Sequence, residues 1–241
     1  MKNFDTYFKS AFTVDNVIFG FDEGDLKVLL IKRQEEPFYG HWALPGYFVR
    51  SDEELHHAAK RVLLELTGLD KVYLEQVQTF GAIDRHPFGR VITIAYFSLV
   101  KIADFSPRPD QIAEEVSWFS VARIGDLAFD HKEILDVCFE RLKRRVRVQP
   151  IGFELLPPKF TLTELQHLYE AILQTELDKR NFRKKILSMN LLIDLNETQE
   201  GVAHRPARLY QFDEEKYQEF LQEGFNFEVK ESKRKEKVTE V

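Results

Sequence analysis

The chain has 241 residues, 44% of them hydrophobic and 31% charged, with a formal net charge of -6. That length holds two domains with real cores, and the acidic balance excludes a chain that is basic all over while leaving room for a local basic face. No run of about 18 or more apolar residues occurs, and Met1 to Thr6 lacks the apolar core of a secretion signal, so no membrane partner is expected and the cytoplasm is the default location.

Residues 12 to 33 predict a hairpin: Phe12 to Phe21, a turn at Asp22 to Asp25, then Leu26 to Arg33, since β-branched and aromatic residues flank a glycine-containing acidic turn. Gln34 to His41, with Pro37 and Gly40, is a loop. A helix is expected from about Asp52 to Leu66, with Ser51 or Asp52 as its cap and Gly68 as its stop. Val72 to Phe80 and Arg90 to Val100 read as strands around the polar loop Gly81 to Gly89, and Trp118 with Phe119 suits a short strand. Leu127 to His131 then enters a helix running to about Val146. Cys138, on that helix, is the single cysteine. It excludes an internal disulfide and a cysteine-based zinc site, and it reads as a small buried hydrophobe.

The stretch from Leu44 to Leu69 resembles the Nudix box, G-x5-E-x7-R-E-U-x-E-E-x-G-U with U apolar. With Glu53 on its first Glu, Tyr47 stands at the box Gly and Arg61 at the Arg. Val62, Glu65 and Leu66 then fall on the three Glu positions where hydrolases of the family hold divalent metal. The flanking Trp42, Leu44, Pro45 and Gly46 and the ending Thr67, Gly68, Leu69 also fit. At about 3.6 residues per turn, positions 62 and 66 share a face with Leu55, Ala58 and Ala59, so the two substitutions complete one apolar stripe. Phosphoanhydride hydrolysis needs metal to neutralise phosphate charge and activate water, and magnesium needs oxygen ligands. The resemblance thus implies a Nudix-like fold with no catalytic residues, no metal and no cofactor. Glu65 with substrate phosphates is the one remaining route to a weak magnesium site, which keeps an active pyrophosphohydrolase on ADP-ribose or a sugar nucleotide as the rival reading. Adjacent His56 and His57 point about 100° apart on a helix and do not share an ion.

Beyond the basic run Arg141 to Arg147, Gln149 to Gly152 and Pro157-Pro158 mark a joint. Thr161 and Glu164 form a capping box that opens a helix with Leu162, Leu165, Leu168, Tyr169, Ile172 and Leu173 at helical spacing. After a break at Gln174 to Leu177, Asp178 caps a second helix reaching about Met189. Phe182, Ile186 and Met189 form its buried face. Arg180, Arg183 and Lys184 cluster opposite, flanked by Lys179 and Lys185. Leu191 to Leu195 and Ala207 to Phe212 are short strands around a loop carrying His204 and Arg205. Helix, turn, basic helix and hairpin resemble a winged helix-turn-helix, whose second helix enters the major groove. The expected DNA-contacting residues are Lys179, Arg180, Asn181, Arg183 and Lys184 on that helix, with His204, Arg205 and Arg208 on the wing.

The sequence thus predicts an α+β chain: a Nudix-like mixed sheet and helix domain over residues 8 to 149, a winged helix-turn-helix over 150 to 228, and a charged, disordered tail over 229 to 241. Together these resemble the Nudix-related transcriptional regulators. That resemblance implies a homodimer on a palindromic operator in double-stranded DNA, released or retained by a small effector, either a sugar such as L-arabinose or an ADP-ribose-like metabolite. Loss of the metal-binding carboxylates leads us to expect the sugar-responsive branch. An aromatic platform with hydroxyl-binding polar groups singles out Phe38, Trp42, Asp84, Arg85, Asp130 and His131 as effector-binding candidates.

Overall fold

The computed structural model describes residues 10–22, 24–69, 72, 74–104, 113–149, 151–201 and 205–223. They fall into two compact units, Met1–Leu142 and Lys143–Val241.

The first unit is built on the expected hairpin. β1 (Ala11–Asp22) and β2 (Asp25–Arg33) pair antiparallel only from Phe19 opposite Val28 to the turn. Beyond that point the two strands part. The edge of β1 so freed is taken by β4 (Gly46–Phe48) at Thr13 to Asp15, and the edge of β2 by β3 (Trp42–Ala43) at Ile31 and Lys32. β6 (Val91–Lys101) runs parallel to β1 from Ala11 opposite Val91 to Phe21 opposite Lys101, and β5 (Glu75–Phe80) lies antiparallel to β6. β7 (Ala113–Ser120) closes the other side of β2, making one seven-stranded sheet. Trp118 and Phe119 therefore belong to an eight-residue strand, longer than expected because the acidic start of β7 hides its pattern.

Helix α1 (Leu55–Thr67) packs Ala58, Ala59, Val62, Leu63 and Leu66 against Ile18, Leu29 and Ile94 of the sheet. Each large aliphatic side chain buried in this way contributes about 1.5–3 kcal/mol. The buried Asn16 Nδ2 donates to the Ala59 carbonyl at 3.2 Å and ties the helix to β1. The helix begins later than the expected Asp52, with Glu54 as its cap, because the Glu53 carboxylate turns back to accept the Arg50 backbone N–H at 2.8 Å. Leu55 is consequently exposed instead of joining the apolar stripe. Gly68, at φ 79°, ends the helix by donating its N–H to the Leu64 carbonyl.

α2 (His131–Val148) spans the boundary, so the second unit begins inside this helix. α3 (Leu162–Leu173) opens with the expected capping box: Thr161 Oγ1 accepts the Glu164 N–H at 3.1 Å, and Glu164 accepts the Thr161 N–H at 2.7 Å. Gln174, at φ 53°, turns the chain toward α4 (Lys179–Ser188), capped by Asp178 through the Asn181 N–H. Tyr169 of α3 meets Phe182 of α4 edge to face at 5.4 Å. β8 (Leu192–Thr198) and β9 (Arg208–Phe212) form the hairpin, and α5 (Glu214–Glu223), which the sequence reading did not single out, follows. His204 and the tail 229–241 lie outside the described residues.

Candidate effector cavity and DNA-reading face

On α1 the box arginine takes up both surviving carboxylates. Arg61 donates from Nε to Glu53 Oε2 at 2.8 Å and from Nη2 to Glu53 Oε1 at 2.5 Å, while Nη1 reaches Glu65 Oε2 at 2.8 Å. Its Nη2 also meets the Phe48 carbonyl at 2.9 Å, and Arg50 brings a second guanidinium to Glu65 at 3.2 Å. The Arg61 hydrogen bonds hold the Glu53 carboxyl down at about 2. Val62 and Leu66 are buried in the core. A divalent cation of the hydrolase type needs several oxygen ligands. Two aliphatic side chains and two arginine-bound carboxylates do not supply them. Among the described residues, no group of three or more His, Cys, Asp or Glu is placed to hold a metal.

A cavity of about 140 Å³ opens where β1 and β2 part, lined by Thr13, Asp15, Arg33, Tyr47, Arg85 and His131 among others. Asp15 is a buried part of its lining. Thr93 Oγ1 donates to Asp15 Oδ2 at 2.7 Å, Arg85 Nη2 stands 3.6 Å from the same oxygen, and His131 Nε2 is 3.5 Å from Oδ1. Arg85 is itself held in a two-pronged grip by Asp130, at 2.8 and 2.7 Å. The Leu44 N–H donates to His131 Nδ1 at 2.9 Å, which leaves the ring proton on Nε2, facing Asp15. Burial pushes the His131 pKa down and keeps the ring neutral.

Arg33 lies 4.9 Å from the centre of the Phe129 ring and donates from Nε to the Pro37 carbonyl at 3.0 Å. Burial lowers its pKa too. His86 stacks on Phe129 with centroids 5.2 Å apart. Gly46 is required beside Asp15, because a Cβ there would overlap the carboxylate and come within 2.9 Å of the Val14 carbonyl. Two guanidinium groups, a stacked imidazole–phenyl pair and a buried carboxylate can together bind an anion, a flat ring and hydroxyl groups.

In the second unit, α4 buries Phe182 and Ile186 and exposes Lys179, Arg180, Asn181 and Lys184. Arg183 is half-buried and donates from Nη2 to Thr163 Oγ1 at 3.0 Å, so it braces α4 against the start of α3. On the wing Arg205 is exposed, and Arg208 donates to Asp194 at 2.9 Å. The backbone N–H of Asn196 and then Arg208 lower the Asp194 pKa.

A family model described as the NUDIX domain matches residues 10–138, and one described as the NrtR DNA-binding winged helix domain matches residues 152–212. The Acinetobacter baylyi protein named ADPR responsive transcriptional repressor NtrR is 40% identical over 204 residues, 83% of this chain and 81% of that protein. The chain belongs to the NrtR-type Nudix-related transcriptional regulators. The Shewanella oneidensis NrtR structure complexed with a 27mer DNA superimposes with a TM-score of 0.75 at 31% identity, over 91% of this chain and 99% of that one. The NUDIX domain of the same protein, complexed with ADP ribose, aligns with a TM-score of 0.52 at 34% identity over 58% of this chain and 94% of that one. A Methanocaldococcus jannaschii ADP-ribose pyrophosphatase is 36% identical over 135 residues, 56% of this chain and 76% of that protein.

Of the effector-binding candidates drawn from the sequence of this regulator, Arg85 and His131 line the cavity, and Asp130 stands behind Arg85. The other three lie off it. Phe38 packs edge-on against Phe129 at 4.7 Å, Trp42 packs against Phe119 at 4.6 Å, and Asp84 is exposed in its loop. Sequence reasoning missed Asp15 and Arg33. A lone acid among the apolar residues Val14, Val17, Ile18 and Phe19 of a buried strand is the signal that could have found Asp15. Cys138 is fully buried, and burial pushes its thiol up to about 12, as befits a core hydrophobe.

Proposed function

We propose that this chain represses or activates its target genes as a homodimer on a palindromic operator, with an ADP-ribose-type metabolite as its effector. The observation that carries the effector assignment is the cavity, where Arg33 and Arg85 lie beside the Phe129–His86 stack and the Asp15 carboxylate. Guanidinium groups suit a pyrophosphate, an aromatic stack suits a base, and a carboxylate suits ribose hydroxyls. Its volume of about 140 Å³ is below the roughly 300 Å³ of a whole ligand pocket. It therefore seats one fragment of such a ligand, with the remainder across its mouth. The relatives' names, with their reference to ADPR, favour this branch over the pentose branch expected from sequence. The flaw in that expectation is physical: losing metal carboxylates removes the means of hydrolysis, yet arginines neutralise phosphate without metal.

DNA is read by α4, with Arg180, Asn181 and Lys184 toward bases and phosphate, Lys179 at its start, and the wing residues His204, Arg205 and Arg208 beside it. Arg183 acts as a brace. The Nudix-like unit binds its ligand without cleaving it, because the box donors do not fit a divalent metal. The test is a thermal-shift and gel-shift titration with ADP-ribose against L-arabinose. ADP-ribose is expected to raise the melting temperature by mass action and to change operator binding. A response to the pentose alone would overturn the effector assignment, and magnesium-dependent turnover of ADP-ribose that is lost in Glu65→Ala would overturn the non-catalytic reading.

A further inference from the structure

The DNA-reading unit begins at Lys143, nine residues before the matched winged-helix segment at 152, so it includes the last turn of α2. That turn is as basic as α4 itself: Arg141, Lys143, Arg144, Arg145 and Arg147 stand within seven residues, as do the five cations from Lys179 to Lys185. Leu142 and Val146 are fully buried and fix the rotation of the helix. At 100° per residue, Arg144 then points almost directly away from that buried face, with Lys143 and Arg147 to one side of it, and Arg144 is exposed. Lys143 Nζ donates to Gln174 Oε1 at 2.9 Å, and Gln174 is the turning residue between α3 and α4. The basic turn therefore lies against the link of the helix-turn-helix, four residues ahead of Asp178, the cap of α4. Outward charge along α2 is also uneven: Glu133, Asp136 and Glu140 precede with one cation, Lys132, which pairs with Asp136, and the remaining cations follow.

We infer that the last turn of α2, through Arg144 with Lys143 and Arg147 beside it, is a second phosphate-binding surface that grips duplex backbone next to the bases α4 meets. The inference rests on the DNA-binding reading and adds a contact outside the recognition helix and the wing. Phosphate contacts fix register without reading sequence, and each one adds a fixed increment to the salt dependence of binding. A rival use exists for cations at a helix end: they complement the helix dipole and act on stability alone.

The two uses separate in one experiment. Binding of the full chain to a duplex from its own upstream region, and to a shuffled duplex of equal composition, is measured across a salt series for the parent, Arg144→Gln, Arg144→Glu and Lys184→Gln. Arg144→Gln is expected to lower the slope of log K against log salt by about 0.9 per protomer, or about 1.8 for the homodimer, on both duplexes alike. Arg144→Glu is expected to weaken binding further, with the preference between duplexes unchanged. A parental slope in both Arg144 variants, alongside a changed slope in Lys184→Gln, overturns the second surface and leaves the DNA reading intact. A lower melting temperature with a parental slope assigns Arg144 to the helix end and also overturns it. If the parent shows no salt-dependent binding to either duplex, the DNA reading itself fails and takes the inference with it.

Discussion

Two arginines in the first unit each hold two carboxylates, and they differ in what surrounds them. Arg85, with Asp15 and Asp130, is almost wholly inside the protein at the wall of the cavity. Arg61, with Glu53 and Glu65, lies nearer the surface along α1: Arg61 and Glu53 keep 15% and 13% of their side-chain surface in water, and Glu65 keeps 37%. The chemistry of the two clusters is alike, but the energetic stakes are not. A buried ion group is costly to break because the partner left behind has no water to turn to, whereas an exposed one is replaced by solvent at little cost. The inner cluster is thus fixed as a preformed site. The outer one holds in place Glu65, which stands at one of the three positions where the Nudix box carries metal-binding glutamates.

This contrast predicts the order of several effects. Arg85→Met should be the most damaging change, costing about 3–5 kcal/mol in urea unfolding, since Asp15 and Asp130 would remain buried without their cation. A loss under about 1 kcal/mol would show that the cavity is wet and the two clusters equivalent. Gly46→Ala should cost about 1–3 kcal/mol by driving a methyl group into the Asp15 carboxylate, and it should abolish the ligand-induced thermal shift. Arg61→Ala should cost about 1–2 kcal/mol, less than Arg85→Met.

The outer cluster also carries a pH signature. The folded Glu53 carboxyl sits at about 2 against an ordinary value of 4.5, so its contribution is fully present above pH 4.5 and is lost as pH falls toward 2. Comparing the parent with Arg61→Ala by denaturant unfolding across that window should show a shallower acid loss in the variant. The smallest effect is expected at the wing. The Arg208–Asp194 pair is exposed, so Arg208→Ala should leave the melting temperature nearly unchanged while weakening DNA binding.

What the sequence disclosed follows the same division between local and distant causes. The capping box at Thr161 and Glu164, the Asp178 cap and the Gly68 stop are set by residues a few positions apart, and each stands as expected. The cavity is assembled from distant segments: Asp15, Arg33, Arg85 and His131 meet only because β1 and β2 separate and β6 runs parallel to β1. No periodicity records that. β3 and β4, two and three residues long, are too short to show a pattern, and Leu55 was misplaced because the Glu53 turn shifts the start of α1. Arg183 has the chemical type of a base reader, and only its contact with Thr163 shows that it braces the helix pair.

The forked hairpin has a consequence for how this architecture can change. Because separate short strands patch each arm of the fork, the backbone amides on either side are satisfied independently. The mouth between the arms can be widened or narrowed by lengthening the Gln34 to His41 connection, with the long central ladder of β1 and β6 left undisturbed. A scaffold of that kind exchanges one guest molecule for another through loop edits alone.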